Sequence, residues 1–275
     1  AHEVEALCKS AAAAVMVGSI TVLSREMNPG DTYWAGWYYA LNSLGLPNPG
    51  MPYYEEHLPE MVGLAHKNEK FLFVSAAGFT PEEYAMLAGS AFRSGADLVE
   101  LNLGCASVWD GGKQKRIACF DSGYVIRILR TVEEALSADA PVAVKVSPFS
   151  DPFELERIMR VIGEFEIVKA VTAVNTFPNA LALTPEGKPQ ITPVGGLAGM
   201  SGPALKPIGL GQVKQIREFL PERIQIIGVG GISQLPDVQD YHRAGADAIQ
   251  IGTAFLREGS HIFSRLLMNA VDSGW

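Results

Sequence analysis

Lys145 sits in the run Val142-Ala-Val-Lys145-Val-Ser-Pro148, an ammonium among β-branched and small apolar residues. An isolated charge there is costly, so an anion is expected to meet it. The run Leu98-Val-Glu-Leu-Asn102-Leu103 sets Glu100 and Asn102 on one face of a strand by its two-residue period, and Asn175-Thr176 closes another apolar run with a polar pair. Each amide could simply satisfy backbone groups nearby. Converging at one mouth, they would read a planar ring with amide-like donors and acceptors. Cys105 stands two residues beyond Leu103, on a loop holding Gly111-Gly112 that could close like a lid. It is a candidate acid/base, with inert packing as the alternative, and a neighbouring Lys145 would favour its thiolate. Cys119 on the same loop is the weaker candidate, and Cys8, on the apolar face of a helical segment, reads as core. Two glycine turns, Gly228-Val-Gly230-Gly231-Ile232-Ser233 and Gly252-Thr253-Ala254, each lead from an apolar run into a helical segment. Bare glycines let backbone N–H groups approach an anion, so the pair reads as a phosphate site. It is not a nicotinamide fingerprint, because no G-x-G-x-x-G precedes a strand ending in an acid.

Other chemistries fall away. All five histidines lie in helical segments rather than at strand ends, which argues against histidine catalysis and, with no ligand spacing among His, Asp and Glu, against a metal centre. A net charge of −8 with scattered Lys and Arg gives no footprint for nucleic acid. No apolar run approaches the roughly 18 residues of a membrane span. Three cysteines without a close pair suggest a reducing compartment, the cytoplasm being the simplest.

The elements that must position these residues follow from period. Near-continuous apolar runs at 14–17, 71–75, 97–103, 142–146, 170–175, 224–227 and 246–251 read as strands buried on both faces. Amphipathic segments near 1–12, 54–66, 81–94, 122–137, 152–164, 206–219, 233–244 and 255–271 read as helices, and Thr80-Pro81 and Asp151-Pro152 supply helix starts. The fold class is α/β. A (β/α)8 TIM barrel is expected, its first strand missing from this numbering because the opening helix has no strand ahead of it; an open seven-stranded sheet is the alternative. No linker divides residues 1–275, so one domain is expected. Loops 19–53 and 104–121 are long for a compact domain and follow strand C-termini, the face where barrels keep their chemistry.

The segments Asn42-Ser-Leu-Gly-Leu-Pro-Asn48, Glu100-Leu-Asn-Leu-Gly-Cys105, Val144-Lys145-Val, Val174-Asn175-Thr176, Gly199-Met-Ser-Gly-Pro-Ala-Leu-Lys206-Pro207, Ile227-Gly-Val-Gly-Gly-Ile232 and Gln250-Ile-Gly-Thr253 resemble, in order, the motifs of class 1 dihydroorotate dehydrogenases. The pyrimidine-reducing domain of dihydropyrimidine dehydrogenase is similar. The resemblance implies an FMN-binding barrel over the whole chain that oxidises dihydroorotate, or a related dihydropyrimidine, in pyrimidine biosynthesis. It implies Cys105 and Lys145 as catalytic residues. Asn42, Gly45, Leu46, Asn102, Ser107, Asn175 and Thr176 would bind substrate. Ser19, Asn102, Lys145, Val174, Gly202, Gly230, Gly231, Gly252 and Thr253 would bind FMN. A homodimer is the assembly it favours, and the electron acceptor stays open among fumarate, a quinone and NAD through a partner.

The chain also departs from that pattern. Gly18 stands where the family usually carries lysine, and Ala106-Ser107 where it carries Pro-Asn. Weaker handling of dihydroorotate is therefore expected unless Arg25, Lys113, Lys115 or Arg116 replaces the charge; a lysine returned at Gly18 would test this, with a clash of the added chain as the alternative. A flavin- or phosphate-binding barrel with lost or altered turnover is the alternative function, and a phosphate-substrate isomerase or lyase a third.

Overall fold

The computed structural model describes residues 2–110 and 113–274, so Gly111-Gly112 of the expected lid and the Lys113 side chain lie outside the described residues. Seven parallel strands form the central sheet: Ala14–Ile20, Phe71–Ala76, Leu98–Asn102, Val142–Val146, Val168–Ala173, Gln225–Val229 and Ala248–Gln250. They lie side by side in chain order. Such unbroken order is that of a barrel, since a doubly wound sheet reverses direction part-way. The first and last strands do not pair among the described residues, which leaves the barrel open on that side.

The strand period explains both faces. On Leu98–Asn102, Val99 and Leu101 point outward into the large core shared with the helices, as do Val142, Val144, Val171 and Ile226 on neighbouring strands. The alternate residues point into the barrel, where Leu98, Ala143, Ala170, Ile227 and Phe73 pack into an apolar floor. Above that floor the inward positions turn polar. Registers place Asn102 opposite Lys145, and Lys145 opposite Thr172, so one layer collects side chains distant in sequence.

The expected helix starts are built as read. Thr80 Oγ1 accepts the N–H of Glu83 at 3.2 Å, and Asp151 Oδ1 accepts that of Phe153 at 2.9 Å. Two expectations need correction. The last helical segment is two helices, Thr253–Glu258 and His261–Ser273, broken at Gly259 with φ +66°. The long loops are not structureless. Strands Tyr33–Ala35 and Ala40–Asn42 join Phe177–Ala180 and Ala198–Ser201 in a four-stranded antiparallel sheet, and Trp109–Asp110 pairs with Lys113–Gln114. These strands are only two to four residues long, too short for a period to show, and the pairing that brings Asn42 to Gly199 spans more than 150 positions. No described helix is long and apolar enough to cross a membrane.

Candidate active site

The anion expected at Lys145 is Glu100. Its carboxylate lies 3.5 Å from Lys145 Nζ, with side-chain exposures of 1% and 19% for Glu100 and Lys145. Glu100 Oε2 also accepts Thr172 Oγ1 at 2.7 Å and Gln250 Nε2 at 2.8 Å, while Lys145 Nζ donates to Gln250 Oε1 at 3.0 Å. A closed ring of three side chains, Lys145, Glu100 and Gln250, with Thr172 donating to it from outside, thus carries one cation and one anion, each with hydrogen-bonding partners, which is what makes a charge tolerable inside a barrel.

Above this ring runs a chain of amides and hydroxyls. Asn175 Nδ2 donates to Asn102 Oδ1 at 3.0 Å, Asn102 Nδ2 donates to Ser19 Oγ at 2.9 Å, and Ser19 Oγ lies 2.8 Å from Ser75 Oγ. Asn175 Oδ1 accepts the N–H of Thr176 at 2.7 Å. Asn42 reaches the same end from the antiparallel sheet and donates to the Gly199 carbonyl at 3.3 Å. Gly45 and Leu46 follow with φ of +82° and +60°. Arg25 Nε holds the Gly45 carbonyl at 2.9 Å.

The two cysteines differ in kind. Cys105 Sγ lies 3.6 Å from Ser107 Oγ, and burial pushes its thiol up, partly offset by the N–H and hydroxyl of Ser107 and by the charges of Arg25 and Lys115. Cys119 is fully buried, its sulfur accepts the N–H of Ser147 at 3.3 Å, and burial pushes its thiol up to about 12. Arg25 and Lys115 flank the Phe79 ring, at 4.9 and 3.8 Å from its centroid, and Arg116 pairs with Asp121. Of the cations expected to replace a missing lysine, Arg25 and Lys115 thus stand beside Cys105. Gly18 itself has φ +121°, and a Cβ there would lie 2.4 Å from the Ser75 carbonyl oxygen, so of the two alternatives for a lysine at this position the backbone gives the clash.

A cavity of about 510 Å³ opens above the Lys145 ring, within the range of small-molecule sites. Asn42, Lys145, Val174, Asn175, Thr176, Gly202, Gly230, Gly231, Gly252 and Thr253 all line it. Its far wall consists of backbone turns. Gly230 and Gly231 have φ of +130° and +71°, and Gly252 would carry a Cβ with no heavy atom within 4 Å, leaving its backbone bare to the cavity. Thr253 Oγ1 and Ser201 Oγ, 2.9 Å apart, join the last strand's turn to the antiparallel sheet. Leu46, Asn102 and Cys105 instead line a smaller neighbouring cavity of about 30 Å³.

A family model described as dihydroorotate dehydrogenase matches residues 1–271. The chain belongs to the dihydroorotate dehydrogenase family. It is 32% identical over 272 residues to dihydroorotate dehydrogenase (fumarate) of Trypanosoma cruzi, covering 96% of this chain and 82% of that protein. It is 32% identical over 268 residues to dihydroorotate dehydrogenase A (fumarate) of Lactococcus lactis subsp. cremoris, covering 97% and 84%. The dihydroorotate dehydrogenase of Eimeria tenella, solved in complex with ferulenol, superposes with a TM-score of 0.81 at 18% identity, over 98% of this chain and 77% of that one, and shares the barrel fold.

Membership of the dihydroorotate dehydrogenase family implies a flavin. Ten of the expected site residues meet in the larger cavity and three in the smaller, while Ser19, Gly45 and Ser107 line neither. Ser19 acts on Asn102, and Ser107 on Cys105, through the hydrogen-bonding contacts given above. Glu100, Gln250 and Ser201 were not assigned roles from sequence. Glu100 shares the inward face with Asn102, and Gln250 and Ser201 lie inside motif segments; their roles were hidden because only the closed ring and the added sheet bring them to the site.

Proposed function

We propose that this protein is an FMN-dependent oxidoreductase that oxidises dihydroorotate, or a closely related dihydropyrimidine. The observation that carries the reading is the single cavity that sets the Lys145–Glu100 ring, an amide row and bare glycine turns against one another, with a loop cysteine beside it. The residues fit FMN: the turns at 230–231 and 252–253 would take its phosphate, and Lys145 would face the ring system. Bound there, FMN supplies the hydride acceptor. Asn42, Asn102, Asn175 and Thr176 orient the pyrimidine ring through its amide-like edge, and the backbone at Gly45 and Leu46 completes the substrate side. Cys105, as thiolate, takes the proton from the ring carbon next to the one that loses hydride. The electrostatic role of Lys145 is to oppose negative charge gathering on the cofactor, with Glu100 holding it in place.

Anaerobic mixing of the purified protein with dihydroorotate tests this. The protein should be yellow and its visible absorbance should bleach, and Cys105→Ala should slow bleaching by about 10²–10⁴-fold while flavin stays bound. A yellow protein that no dihydropyrimidine bleaches would instead be a binding barrel, and a colourless one that takes up no FMN would overturn the reading.

A further inference from the structure

Behind the cavity wall, on the side away from the cofactor space, lies a charge cluster with no part in the chemistry above. Lys206 opens the helix Lys206–Phe219 directly after the turn 202–205, and Asp237 lies in the first turn of the helix Leu235–Ala244, after the turn 230–234. Lys206 Nζ donates to Asp237 Oδ1 at 2.7 Å and to Asp240 Oδ2 at 2.8 Å. The second oxygen of Asp237 accepts the N–H groups of Ser233 at 2.9 Å and Gln234 at 3.0 Å. Asp237 is 4% exposed, so this carboxylate is committed to the backbone of one turn and the side chain of the other. The turns also touch. A Cβ on Gly231 would lie 2.9 Å from the Gly202 carbonyl oxygen and 2.9 Å from Lys206 N. Tyr241, wholly buried, fixes the same turn from behind by donating to the Gly230 carbonyl at 2.8 Å.

Both turns face the cavity with backbone, whereas Lys206 is absent from its lining and spends its charge on the two aspartates. A lysine next to a phosphate site would ordinarily be read as a phosphate ligand. Here its ammonium is turned to two carboxylates and away from the cavity, so anion recognition falls to N–H groups whose spacing depends on how the two turns are held.

We propose that Asp237, clasped by Lys206, is a positioning residue for the cofactor phosphate: it holds the turns 202–205 and 230–234 at the separation that lets their N–H groups converge on one anion. The inference rests on the FMN reading and goes beyond it by naming what sets the cradle. A clasp of this kind acts on the phosphate and leaves the isoalloxazine and ribityl contacts alone.

Riboflavin, which lacks the phosphate, separates positioning from general stability. The full chain, stripped of flavin, is titrated with FMN and with riboflavin by quenching of flavin fluorescence. Asp237→Asn and Lys206→Met should weaken FMN binding by about tenfold to a hundredfold and leave riboflavin binding unchanged, while Lys206→Arg, which can still pair with both carboxylates, should restore most of the FMN affinity. Equal losses for both flavins, or no loss for either, would overturn the proposal. So would failure of both Asp237→Asn and Lys206→Met to fold, because the clasp would then hold the barrel rather than the cradle. Wild-type protein that binds FMN no better than riboflavin would refute the phosphate assignment itself, a separate result.

Discussion

Replacing Lys145 with methionine keeps most of the side-chain length and removes the only cation that faces Glu100 in the ring. At 3.5 Å, with an effective dielectric near 20, the pair's gross attraction is about 5 kcal/mol. Its net worth is smaller, because both groups gave up water on folding. Removing one partner is a different matter: Glu100, 1% exposed, would keep only Thr172 and Gln250 as donors and carry an unbalanced buried charge. Lys145→Met is therefore expected to cost about 3–5 kcal/mol of folding stability. Glu100→Gln should cost less, about 1–3 kcal/mol, since Lys145 is partly exposed and can hydrate. The double variant Glu100→Gln/Lys145→Met should be more stable than Lys145→Met alone, because no charge is left stranded. Urea unfolding of the four proteins without added flavin, followed by tryptophan fluorescence, gives the cycle. A loss below about 1 kcal/mol for Lys145→Met, or a double variant no more stable than that single one, would refute the buried-pair argument.

Gly252→Leu should abolish FMN uptake with little change in melting temperature, because its side chain would enter open cavity, and flavin absorbance after gel filtration reads it; at Gly231 the same residue would strike Gly202 and Lys206 backbone and disturb the fold as well. Cys119→Ala should lower stability by about 1–3 kcal/mol through loss of a buried, hydrogen-bonded sulfur, yet leave stopped-flow flavin bleaching nearly unchanged. Because burial pushes the Cys105 thiol up and a base must be thiolate, bleaching by substrate should rise with pH into the alkaline range, and Lys115→Met should move that limb to higher pH. Burial raises the Asp237 carboxyl, but the Lys206 ammonium and the N–H groups of Ser233 and Gln234 outweigh it and hold it below the ordinary carboxylate range. A depressed folded-state value gives stability that is present above the ordinary range and lost as pH falls through the lowered one, so melting curves of Asp237→Asn should lack part of the wild-type loss in acid.

The seven parallel strands and the helices around them were legible in the sequence because each is a local pattern: apolar runs of strand length, helical spacing and short-range caps such as Thr80 and Asp151. The same holds for the two glycine turns and for the inward pairing of Glu100 with Asn102, which the strand period fixes without reference to the rest of the chain. What pairs with what across the barrel was not legible. That Lys145 is met by Glu100 and Gln250 depends on strand registers and on curling of the sheet, which brings residues 100, 145, 172 and 250 into one layer. Asn42 reaches the site only through an antiparallel sheet whose strands lie far apart in the chain. Whether Gly18 has room for a side chain was likewise invisible, because the obstructing atom is the Ser75 carbonyl oxygen of the neighbouring strand. Residue types and local period set the inventory of the site; closure of distant contacts, whose free energy is shared over the whole fold, decided which charges meet and which stay open to a ligand.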